Sequence, residues 1–111
     1  MIRVNYTQEG NPISDWEVNK FVSELIKFNK KHEMKNMINI STENVVHAFR
    51  FAVVNKDIAL DDITFYHDGE KLNLTKYGTC DPWPKDYLCF QDNLMRAMVK
   101  AQCKIRKEEN K

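Results

Sequence analysis

Phosphate chemistry needs glycines at fixed spacing, because a backbone must approach the phosphates closely. The chain has three isolated glycines, Gly10, Gly69 and Gly78. They cannot write G-x-x-x-x-G-K-S/T or G-x-G-x-x-G. No G-x-S-x-G nucleophile elbow is present. The three histidines, His32, His47 and His67, are scattered, and Cys80, Cys89 and Cys103 share no C-x-x-C spacing. No metal site is therefore expected, and the cysteines read as reduced thiols of a cytoplasmic protein. His32 reads as solvated at a helix end and His47 as a surface or satisfied helix residue. His67 reads as exposed before a turn. Asp61 and Asp62 read as loop caps, since no third oxygen ligand converges on them.

Two groups of residues remain. Glu9, Asn11, Ser41 and Thr42 fall at the ends of expected strands, where open α/β sheets bind ligands. They would line a crevice for a nucleotide or signalling molecule. Tyr77, Trp83 and Tyr87 gather around a proline loop. Such rings, with one apolar body and one polar handle, suit a partner surface. His47 and Arg50, on a neighbouring helix, belong to the same expected partner-binding set.

The elements that must position these residues follow from periodicity. Ile2, Val4 and Tyr6 alternate with polar residues and predict a strand over 1–7. A turn at Gly10, Asn11 and Pro12 follows. Ser14 and Glu17 have capping-box spacing and should open a helix to about Lys31. Val18, Phe21, Val22, Leu25 and Phe28 mark its buried face. Residues 35–40 predict a short buried strand. Ser41 or Thr42 then caps a helix from Glu43 to about Asn55, with Val45, Val46, Phe49, Ala52 and Val53 inward. Residues 61–74 predict a hairpin turning at Asp68-Gly69. A last helix is expected from about Lys85 to Lys107, facing inward through Tyr87, Leu88, Gln91, Leu94, Met95, Met98, Val99 and Gln102.

The order is β-α-β-α-β-β-α, a mainly parallel sheet with a terminal antiparallel hairpin. A chain of 111 residues makes a single domain over 1–111, fraying near 107–111. Charged residues make up 30% and balance to +1, so composition gives no footprint for nucleic acid. No apolar run approaches the roughly 20 residues that span a bilayer, and no signal peptide is visible.

Residues 39–66 resemble the tail half of bacterial ABC-type AAA ATPases, the SMC-like and OLD-like group associated with phage defence. In that family a strand ends in T-H-S-E before a helix containing R-h-R-x-A. Phe49-Arg50-Phe51-Ala52 and the run from Ile58 through Asp61-Asp62 to Ile63 match in spacing. Further on, Tyr77-Gly78 and Trp83-Pro84 match the family's glycine and W-P after a hairpin. The resemblance spans roughly residues 1–95, with motif content at 37–87, and implies half of an ABC-ATPase-like head.

The departures bear on activity. Ser41 stands where the family has its switch histidine, and a hydroxyl cannot do an imidazole's work. The acidic pair that holds magnesium falls near Gly10 and Asn11, or near Asn5 and Thr7, and either register lacks carboxylates. The phosphate-cradling half would precede Met1. The resemblance therefore implies a protein that is not an enzyme and holds no cofactor. It would act on a protein partner, such as an ABC-type ATPase, as a phage or mobile-element decoy or antagonist. A surface left bare by the absent half would also favour a homo-oligomer.

Overall fold

The computed structural model describes residues 1–84, 87, 88 and 90–109. It is a mixed α/β fold in the order β1 (Ile2–Asn11), α1 (Val18–Lys31), β2 (Met37–Ile40), α2 (Glu43–Val54), β3 (Ile63–His67), β4 (Glu70–Lys71), α3 (Phe90–Glu109). The four-stranded sheet has the order β2-β1-β3-β4. β1 pairs parallel with β2 and with β3, and β3 pairs antiparallel with β4.

Alternation divides the two faces of this sheet. Ile2 and Val4 are buried, as are Ile40, Ile63 and Phe65. They join Val18, Val22 and Ile26 of α1 and Val45, Val46, Phe49, Ala52 and Val53 of α2 in one core. The opposite face carries Arg3, Asn5, Asn39, Thr64 and Tyr66, and Arg3 and Asn39 are exposed there. On α1 the buried stripe takes Ile26, while Phe28, expected inside, is half exposed.

β1 outruns its expected end because the chain bulges. Both Tyr6 and Asn11 register with Ile40, so residues 7–10 leave the ladder and return. The return is possible only at glycine. A Cβ on Gly10 would lie 2.5 Å from the Ile40 backbone nitrogen. The bulge places Glu9 at the end of the central strand and opens a cleft there.

Local capping departs from the spacing rules. Ser14 makes no side-chain cap. Its carbonyl instead accepts from the Glu17 N–H at 2.8 Å, closing a 3-10 turn over Asp15–Glu17 before α1 begins at Val18. Thr42 is the N-cap of α2 by backbone shape but makes no side-chain cap either. Its hydroxyl accepts from the Ile13 N–H at 2.7 Å and faces the Ile13 carbonyl at 3.1 Å. The side chain thus ties the end of β1 to the start of α2.

The hairpin turns where D-G spacing put it, with φ of 47° at Asp68 and 87° at Gly69. Its return strand is short, because after Lys71 only the Leu72 N–H continues, to Phe65 O at 2.9 Å. The expected helix start at Lys85 lies outside the described residues. Tyr87 and Leu88 lie in a turn, and Leu88 has a φ of 56°, incompatible with a helix. α3 starts later and projects, giving extents of 64 × 30 × 28 Å. Every residue from 96 to 109 is exposed, so Met98, Val99 and Gln102 do not face a core. Among the described residues no helix is long and apolar enough to cross a membrane.

Gly10→Ala should lower unfolding stability by about 2 kcal/mol, because backbone must move to admit a methyl group. Gly69→Ala, with open space around it, should cost about 1 kcal/mol from its left-handed φ alone. Urea midpoints at unchanged m-value check both.

Candidate functional site

Arg50 organises the first candidate surface. It sits on the outer side of α2, one turn after His47. Its Nε–H donates to the Gly78 carbonyl. Its guanidinium carbon lies 5.0 Å from the Trp83 ring centroid, a cation–π geometry. Its Nη1 donates to His47 Nδ1 at 2.9 Å. Arginine has no acceptor, so Nδ1 must accept and the ring proton sits on Nε2. That nitrogen lies 3.9 Å from Glu43 Oε1.

The 75–84 loop docks on this cation. Gly78 has a φ of 76°, and a Cβ there would lie 2.9 Å from Arg50 O and 3.0 Å from Val54 Cγ2. Only glycine lets the loop approach α2 so closely. Thr75 N–H bonds Thr79 O at 2.8 Å and Asp81 N–H bonds Asn73 O at 3.0 Å, which holds the loop's own shape. The Trp83 indole N–H donates to Tyr87 O at 2.8 Å.

Exposure then sorts the expected partner residues. Tyr77 is 71% exposed, Trp83 39% and Tyr87 0%. Tyr87 is the foundation of the loop rather than part of its surface. Its ring meets Trp83 at 5.3 Å, His67 at 5.1 Å and Tyr6 at 6.0 Å between centroids. Tyr77, Trp83 and half-exposed Val54 are left outward around Arg50. Phe51, on the same helix, is also exposed.

The second candidate is the cleft at the strand ends. It encloses about 1010 Å³ and is lined by Asn5, Tyr6, Thr7, Gln8, Glu9, Asn39, His67, Asp68 and Gly69. Of the four expected ligand residues, the lining takes Glu9. Asn11 accepts from the Ser41 N–H at 3.1 Å, and Thr42 is engaged with Ile13. These three hold β1 to α2 and do not line the cleft.

Asn5 and His67 in the cleft lining, and Glu43 outside it, were hidden in the sequence. Asn5 donates through Nδ2 to Asn39 Oδ1 at 2.8 Å and accepts at Oδ1 from the Gly69 N–H at 2.9 Å. One amide therefore links β1, β2 and the hairpin turn. His67, expected exposed, is half-buried and stacks on Tyr6 at 6.2 Å. Glu43 is 7% exposed, and neither carboxylate oxygen has a hydrogen-bond donor among the described residues. For His67 and Glu43 the sequence signal was a polar residue on a pleat or helix position otherwise apolar, whereas Asn5, on the polar face of β1, gave none. Among the described residues no group of three His, Cys, Asp or Glu could hold a metal ion.

Burial shapes the tyrosines behind both sites. Burial pushes the Tyr87 phenol well above its ordinary value, with Cys80 adding and Arg50 opposing. Tyr6 is raised too, by burial and then by the Glu43 and Asp68 carboxylates.

No known family, no curated protein and no solved structure matches the chain.

Both phenols are held neutral in the fold beyond the pH at which the unfolded chain would ionise them. Their contribution to stability should therefore be constant below about pH 10 and be lost above it. Tyr87, the more deeply buried, adds a slope of up to about 1.4 kcal/mol per pH unit. Tyr87→Phe should remove most of this slope in denaturant unfolding between pH 10 and 12.

Proposed function

We propose that this chain acts by binding another protein rather than by catalysis. The observation that carries this reading is the set of side chains around one guanidinium. Arg50 fixes Trp83 by cation–π contact and holds the loop that presents Tyr77. Trp, Tyr and Arg are the types that dominate interface energetics, because each offers a large rigid contact with a polar handle. Here they are preorganised, so a partner would bind without the entropy cost of ordering the loop.

The sequence resemblance supplies the partner class, an ABC-type ATPase, and the role of decoy or antagonist. Ser41 supports a non-catalytic reading, since its N–H is spent on the Asn11 carbonyl and its side chain is not an imidazole. A second reading, a small-ligand module, is favoured by the cleft at the strand ends. It requires a Tm rise with added nucleotide, by RT ln(1 + [L]/Kd).

The test uses tagged wild-type chain and the double variant Tyr77→Ala/Trp83→Ala in host lysate. Recovery of an ABC-type ATPase by the wild type, lost in the variant, is the expected result. Recovery of no ATPase, or equal recovery by both, would contradict the proposal.

A further inference from the structure

Charge is distributed unevenly along this chain. Between residues 96 and 109 there are five basic side chains and two acidic ones, Glu108 and Glu109 at the end of the helix, while residues 1–95 have three more acids than bases. All five lie on the projecting part of α3, where every residue is exposed. Four of them, Arg96, Lys100, Lys104 and Lys107, follow at i, i+4, i+8 and i+11 and share one face. That stripe covers about 16 Å of helix. Among the described residues no carboxylate pairs with any of them.

We infer that α3 is an arm that binds duplex nucleic acid through the phosphate backbone. The reading goes beyond the protein-binding surface around Arg50 and does not rest on it. Unpaired, regularly spaced cations on an exposed helix are what phosphates select, since each contact releases condensed counterions. A bare helix of this width also fits the roughly 12 Å major groove. The acidic remainder of the chain would be repelled, which restricts contact to the arm.

The apolar residues of the arm separate nucleic acid from an anionic membrane. Met98 and Ile105 lie on the side of α3 opposite the four cations. A helix that lies on a bilayer sets its cations opposite an apolar side built from Trp, Phe and Leu, and residues 96–109 contain none of these three. On a duplex the cationic side faces the phosphates and the apolar side stays outward. The contacts are to backbone, so binding is insensitive to sequence.

Fluorescence anisotropy of a labelled duplex DNA of about 20 base pairs, titrated with the full chain at several salt concentrations, tests this. Four phosphate contacts give a slope of log K against log salt of about −3.6. Lys100→Ala/Lys104→Ala should reduce the slope to about −1.8 with unchanged far-UV circular dichroism. Met98→Ser/Ile105→Ser should leave both slope and affinity as in the wild type. Absence of binding at low salt, an unchanged slope in the lysine variant, or affinity lost in the Met98/Ile105 variant would overturn the inference. So would tighter binding to vesicles containing phosphatidylserine than to the duplex.

Discussion

The contact between Arg50 and the 75–84 loop fixes the aromatic surface beside α2. A single planar cation meets a carbonyl, an imidazole nitrogen and an indole face. Its fork geometry allows all three at once, which an ammonium could not match. Through Trp83 the contact reaches Tyr87, and through Tyr87 it reaches Tyr6 and His67 at the strand ends. The surface and the cleft are therefore two sides of one aromatic cluster. Moving the guanidinium would disturb both.

A second constraint sits in the sheet. Gly10 lets β1 leave the ladder and rejoin it at Ile40. Asn5 joins both neighbouring strand ends through one amide. Together they make a polar notch where β1 leaves the ladder. A buried amide is stable there because all but one of its groups find a partner within reach.

Much of this was legible from periodicity. The alternation of Ile2 and Val4, the α2 stripe and the Asp68-Gly69 turn follow from one local rule each. What escaped were features set by partners distant in sequence. Asn5 looks like any polar strand residue until Asn39 and Gly69 arrive beside it. His67 reads as a turn neighbour until Tyr87 covers it. Ser14 has the right spacing for a capping box, yet a backbone bond to its carbonyl takes over. On α3 the pattern predicted an inward face, yet Met98, Val99 and Gln102 are exposed, because periodicity does not say whether anything packs against a helix. The aromatic loop was found because tyrosine and tryptophan near prolines are a compositional signal. Its dependence on Arg50 was not, since a cation–π pair leaves no spacing of its own.

The arrangement gives a body and an arm of opposite charge, with the aromatic surface on the body. Arg50 holds that surface in place. Hydrogen exchange of Arg50→Ala tests it most directly, read at the amides of Thr75, Gly78 and Asp81, each bonded within the loop region. These amides should exchange at least about tenfold faster than in the wild type, while those of β1 and α2 keep their protection. Loop amides that stay protected, or protection lost equally across the whole chain, would contradict the account.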